Sequence, residues 1–131
     1  MNMKKIAILG VTGYIGSSLL QEFFEQDKGH ALYLFSRSHE KVRSTIKHTP
    51  KKTSFEILPL DEFAVHTYDL IINCASARDP IQKGGSYEIF KITEDIDSLV
   101  LPYLHKHPKT TYVTMSSGAA YGDVYTDGPV T

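Results

Sequence analysis

The stretch KKIAILGVTGYIGSSLL, residues 4–20, sets Gly10, Gly13 and Gly16 three apart between an apolar run and a second run of different period. A turn without Cβ atoms lets backbone amides close on a bulky anion, and a helix opening at that turn adds the positive end of its dipole. The chemistry that this spacing serves is the holding of a diphosphate at a strand-to-helix junction. The plainer use of the same glycines is to end a strand at Gly10 and to bring helix and sheet together at Gly16. Gly10, Thr12, Gly13, Tyr14, Ile15 and Gly16 are the candidate contacts.

A second group bears on which dinucleotide such a turn would receive. An acidic side chain closing the second strand binds a ribose 2′-hydroxyl, whereas an arginine there suits a 2′-phosphate. The chain reads LFSRS at residues 34–38, with no acid at that end. Arg37, helped by Ser38 and by Lys41 or Arg43, therefore favours NADP, with NAD as the alternative. The competing use of Arg37 is as a solvated loop charge.

Other reactive side chains point elsewhere. Tyr87 and Lys91 form the only Tyr-x-x-x-Lys, a spacing that puts both on one helical face, but they precede the fifth strand candidate. Tyr121 is followed four residues later by Tyr125 rather than by a lysine. The 6 histidines are scattered without ligand spacing, so no metal site is expected, and His105 and His107 suit a helix C-terminus. Cys74 lies within an apolar run and reads as a packed thiol rather than a nucleophile.

The elements that must position these residues follow from periodicity. KIAIL (5–9), ALYLF (31–35), SFEIL (54–58), YDLIINCAS (68–76) and TTYVTM (110–115) read as strands, the third weaker than the others. Ile15, Leu19, Leu20, Phe23 and Phe24 mark one face of a helix ending near Lys28 and Gly29. SRSHEKVRSTIKH has room for a short helix before Pro50. RDPIQKGGS is a loop, and Ile89, Ile92, Ile96, Leu99 and Tyr103 mark a long helix that Pro102 should kink or end. Alternation of this kind specifies an α/β chain, a parallel sheet with helices on both faces.

With Thr12 before the middle glycine, GVTGYIG resembles the extended and atypical short-chain dehydrogenase/reductases, the NAD-dependent epimerase/dehydratase family. NCAS (73–76) resembles the segment that ends that family's fourth strand, and YVTMSSGAAYGD (112–123) its fifth strand and active-site loop. The resemblance implies a Rossmann-type doubly wound sheet in strand order 3-2-1-4-5, with the cofactor across the switch point between the first and fourth strands. It implies that Asn73, Cys74, Ala75 and Ser76 run beside the cofactor, that Asp61 reaches the adenine, and that Ser116 belongs to the cofactor wall. Ser117 takes the place of the hydroxyl that holds the reacting oxygen, and Lys91 falls where many relatives carry asparagine.

The family's acid/base Tyr-x-x-x-Lys follows that serine, and residues 118–131 contain none. Residues 1–131 are thus expected to be the NAD(P)-binding front portion of a longer protein, truncated relative to the family fold and inactive alone. The resemblance implies an oxidoreductase working on a nucleotide-sugar or similar hydroxyl or ketone substrate, which the missing portion would recognise. The alternative is a non-enzymatic NADP-sensing regulator of the same fold.

Composition agrees with one domain. The 131 residues carry 41% hydrophobic and 22% charged side chains and a net charge of −1. No excess of basic residues invites nucleic acid, and no apolar run reaches the roughly 20 residues of a membrane span. A single cysteine fits a reducing compartment, so a cytoplasmic location is expected.

Overall fold

The computed structural model describes residues 3–26, 29–36, 38–47, 53–75 and 86–115. Five parallel strands form one sheet: β1 (Lys5–Leu9), β2 (Ala31–Phe35), β3 (Ser54–Leu58), β4 (Leu70–Asn73) and β5 (Thr111–Thr114), in the order β3-β2-β1-β4-β5. The connections carry helices α1 (Tyr14–Gln26), α2 (His39–Ile46) and α3 (Ser86–Lys106). The expected strand order is therefore the observed one.

Side chains alternate across each strand, so every buried strand must be covered twice. On one face Ile6, Ile8, Leu32, Leu34 and Ile72 pack with Leu20 and Phe24 of α1 and Val42 and Ile46 of α2. On the other, Ala7, Leu9, Phe35 and Ile71 pack with Phe63, Tyr68 and the α3 residues Ile96, Val100 and Tyr103. The second layer is aromatic: Phe63 meets Phe35, Tyr68 and Tyr103 with ring centroids 5.2, 5.1 and 5.2 Å apart.

Three details depart from the sequence reading. The buried row of α1 is Gly16, Leu20 and Phe24, at i, i+4 and i+8, while Ile15 is 53% exposed. Gly16 has no side chain, so its turn can sit against the loop after β1; that contact orients the helix and rotates Ile15 outward. Between β3 and β4 the chain forms a short 3-10 helix, Leu60–Val65, where the periodicity pointed to no helix. Parallel strands cannot be joined by a tight turn, and this segment crosses the sheet while burying Phe63 completely. Finally, of the two outcomes expected at Pro102, a kink or an end, the end does not occur: α3 runs on to Lys106. Pro102 is exposed, so the carbonyl that loses its helical partner belongs to Ser98, itself exposed and open to water.

The other boundaries follow local chemistry. Gly29, at φ 76, ends the connection after α1 in the left-handed region that glycine enters without strain. Ser38 caps α2, its hydroxyl oxygen accepting from the Lys41 amide at 3.3 Å. His105 and Lys106 lie in the last turn of α3, and the His107 ring stacks on Tyr103 at 4.1 Å.

Candidate functional site

Register brings the carboxyl ends of all five strands to one edge. Leu9 lies opposite Phe35 and Asn73, Phe35 opposite Leu58, and Asn73 opposite Thr114. One residue further on stand Gly10, Ser36, Pro59, Cys74 and Met115. The strand order reverses between β1 and β4, and in open parallel sheets the crevice for a ligand opens at such a reversal.

The glycine turn occupies this reversal, and its three glycines do different things. Gly10 has φ 79, and a Cβ there would lie 2.5 Å from the Ala75 amide nitrogen and 2.6 Å from the Cys74 carbonyl carbon. A Cβ on Gly16 would collide with the Gly10 carbonyl oxygen. Both are therefore required by the chain's own packing. Gly13 is different. Its φ is not positive, and the nearest atom to an added Cβ would be the Gly10 oxygen at 3.7 Å, an ordinary contact.

Gly13 also opens α1. Its carbonyl accepts the first helical hydrogen bond, from the Ser17 amide at 2.9 Å, so it stands at the N-cap without a side chain that could cap. Among the described residues no backbone partner outside the helix takes the amides of Tyr14, Ile15 or Gly16. The first turn carries no acidic residue, and the Ser17 and Ser18 hydroxyls turn back to the Tyr14 carbonyl at 3.2 and 2.9 Å. Among the described residues the first amides of the helix are therefore without a partner, and its positive end lies at the strand-order reversal. Thr12 is partly exposed and Tyr14 is 89% exposed beside it.

Across the crevice, the end of β4 is held by Asn73. Its Oδ1 accepts from the Ala75 amide at 3.0 Å, and its Nδ2 donates to the Tyr112 hydroxyl at 3.2 Å and to the Thr114 hydroxyl at 3.3 Å. The Cys74 side chain points away into the α1 and α2 layer, and burial pushes its thiol pKa up, as expected of a packed thiol. Its amide donates to the Leu9 carbonyl at 2.8 Å, tying β4 to β1 just below Gly10.

The adenine end is less concentrated. Ser36 and Ser38 bind one another, the Ser36 hydroxyl accepting from the Ser38 amide at 3.1 Å, while the Ser38 hydroxyl is engaged as the α2 cap. Asp61 is exposed in the first turn of the 3-10 helix, just beyond β3. Lys91 pairs with Asp95 at 3.1 Å on the exposed side of α3. Arg37, Ser76, Ser116 and Ser117 lie outside the described residues. Sequence reasoning missed Tyr112 and Thr114, because nothing local links them to an asparagine some 40 positions earlier in the chain.

A doubly wound parallel sheet with a glycine turn and a helix opening at its switch point is the architecture of a dinucleotide-binding domain. The model of the NAD dependent epimerase/dehydratase family matches residues 6–131, and the chain belongs to that family. Family membership makes a nicotinamide dinucleotide the cofactor, and the Cβ-free cradle at Gly13 fits one.

Solved structures show the same fold. The UDP-Glc/GlcNAc 4-epimerase of Campylobacter jejuni superposes with a TM-score of 0.69 at 19% identity, over 98% of this chain and 43% of that one. UDP-glucose-4-epimerase of Stenotrophomonas maltophila, which has NAD and formylated UDP-arabinopyranose bound, gives 0.65 at 18% identity, over 95% and 40%. A short-chain dehydrogenase/reductase of Vibrio parahaemolyticus gives 0.64 at 19%, over 88% and 59%. The chain therefore spans between 40% and 59% of the length of these three. No curated protein was found to match it. Among the described residues no helix is long and apolar enough to cross a membrane.

Proposed function

We propose that residues 1–131 are the cofactor-holding front portion of an NADP-using enzyme that oxidises or reduces a carbon bearing a hydroxyl or ketone, in the manner of a nucleotide-sugar epimerase or dehydratase. The observation that carries the reading is Gly13. The protein leaves room for a side chain at that position, so close packing does not account for glycine there, and the amides of Tyr14, Ile15 and Gly16, without a backbone partner among the described residues, support an anion as the ligand.

In this reading the amides of the glycine turn hold the diphosphate, and the backbone of Cys74 and Ala75 forms the opposite wall with Ser76 and Ser116. Asp61 reaches the adenine amino group. Arg37 and Ser38 take the ribose 2′-phosphate, the guanidinium through two parallel hydrogen bonds. When bound, the nicotinamide supplies or accepts hydride at the substrate carbon. Ser117 hydrogen-bonds the reacting oxygen and orients it. The acid/base tyrosine and the substrate-recognising segment are supplied from beyond residue 131. The similarity to 4-epimerases for UDP-sugars supports a nucleotide-sugar substrate class.

Titration with NADPH and NADH, read by nicotinamide fluorescence, tests the cofactor. NADPH is expected to bind at least about tenfold more tightly, and Arg37→Ala to remove most of that margin, since a charge-assisted contact is worth about 1.5–3 kcal/mol. Tighter binding of NADH would overturn the choice of NADP, and no binding of either at millimolar concentration would overturn the function.

A further inference from the structure

Resting on the dinucleotide reading, we infer that Asn73 is the positioning residue of the crevice: its side-chain amide fixes the wall that faces the glycine turn and couples it to β5. The orientation of the amide is settled by chemistry. The Ala75 N–H can only donate, so the atom 3.0 Å from it is the carbonyl oxygen, and the NH2 group must face the hydroxyls of Tyr112 and Thr114. Both N–H donors are thus spent within the protein. Asn73 therefore works through its neighbours rather than as a cofactor ligand through its own NH2 group.

The bond to Ala75 closes a two-residue turn of the kind asparagine forms with its own backbone. It engages the Ala75 amide where residues 74–75 lie so close to Gly10 that even one methyl group would meet them at 2.5–2.6 Å. The two bonds to hydroxyls reach the neighbouring strand, where the Met115 amide also donates to the Asn73 carbonyl at 3.0 Å. Tyr112 is anchored in turn among the aromatic layer that covers this face of the sheet. One half-buried side chain therefore joins the three parts whose spacing decides how a dinucleotide lies: the turn after β1, the wall after β4, and the strand that leads into Ser116 and Ser117.

The test compares Asn73→Leu, which has similar size and no polar atoms, with Asn73→Ser, which keeps an acceptor for the Ala75 amide but is too short for Tyr112 and Thr114. Two quantities are read: the dissociation constant for NADPH, and hydrogen exchange at the Ala75 amide relative to amides in β1 and α1. Asn73→Leu is expected to speed Ala75 exchange and to weaken NADPH binding, each by about tenfold or more, the loss of roughly one hydrogen bond, with β1 and α1 unchanged. Asn73→Ser is expected to bring Ala75 exchange back to within about threefold of the parent, because an acceptor two residues earlier restores the turn, and to recover NADPH binding only in part, because the two bonds to β5 are lost.

Parent-like NADPH affinity in Asn73→Leu despite fast exchange at Ala75 would overturn the inference, as would binding in Asn73→Ser equal to that of the parent or to that of Asn73→Leu despite slow exchange. If Asn73→Leu does not fold, Asn73→Gln replaces it, since its carbonyl lies one methylene too far out to close the turn. Should the unsubstituted protein bind no dinucleotide, the proposed function fails, while exchange at Ala75 still decides the geometry: equal rates in all variants overturn it.

Discussion

Gly10, Gly13 and Gly16 are one residue type at one spacing, yet a methyl group added to each meets a different neighbour. Gly10→Ala places a side chain at positive φ and against the Ala75 backbone, and Gly16→Ala drives one into the Gly10 carbonyl. Each is expected to cost about 2 kcal/mol or more in urea denaturation, since backbone on both sides of the contact must move. Gly13→Ala meets nothing closer than 3.7 Å. It is expected to lower the unfolding free energy by no more than about 1 kcal/mol, the N-cap preference for glycine over alanine, while weakening NADPH binding at least about tenfold. A large stability loss at Gly13 would mean that the position serves packing. The Cys74 thiol, buried and with its pKa raised by desolvation, should resist alkylation at pH 7.5 in the folded protein and react readily in urea.

At the scale of elements, the 3-10 helix Leu60–Val65 shows how a crossover with little regular structure is held. Phe63 is its anchor, fully buried against the rings of Phe35, Tyr68 and Tyr103. Tyr68 closes the segment by donating to the Phe63 carbonyl at 2.6 Å, while the Tyr103 hydroxyl accepts from the Tyr68 amide at 2.9 Å and donates to the His66 carbonyl at 3.1 Å. Phe63→Ala is expected to destabilise the fold by about 3–5 kcal/mol, because the surrounding rings belong to a rigid sheet and helix and cannot collapse into the space. Denaturant unfolding measures it directly. Ser38→Ala, which removes the α2 cap, should cost about 1 kcal/mol by the same measurement and tests whether Ser38 stabilises the loop before it serves any phosphate.

For the whole molecule, the aromatic layer makes stability depend on alkaline pH. Burial pushes the Tyr68 hydroxyl well above the usual tyrosine range, with Tyr103, Tyr33 and Glu62 adding to the effect. Burial also raises Tyr103, against the hydrogen bond from the Tyr68 amide that favours its ionised form. A raised acid holds its proton more tightly in the folded state than in the unfolded one. Its contribution is therefore complete below the unfolded tyrosine pKa of about 10 and falls away above it. Stability should decline from about pH 10 upward, with a slope approaching about 1.4 kcal/mol per pH unit for each such tyrosine. Tyr68→Phe leaves the Phe63 carbonyl unpaired and should cost about 1–2 kcal/mol at pH 7, yet its decline above pH 10 should be shallower. Equal slopes for the two proteins would remove Tyr68 from this account.

Strands 5–9, 31–35 and 54–58, the alternation with helices and the glycine turn were all legible in the chain, because each rests on a local period or on residues adjacent in sequence. The 3-10 helix was not, since it carries no helical repeat and is held by rings from β2 and α3. Nor was the use of each glycine, nor the work of Asn73, whose partners Tyr112 and Thr114 reach it only when β5 takes its place beside β4. Local spacing determined which elements form and where the glycine turn stands among them. Only the packed sheet decided which glycines are required by close backbone contacts and which strand the Asn73 side chain joins, because those are contacts between strand ends that meet in space and are far apart along the chain.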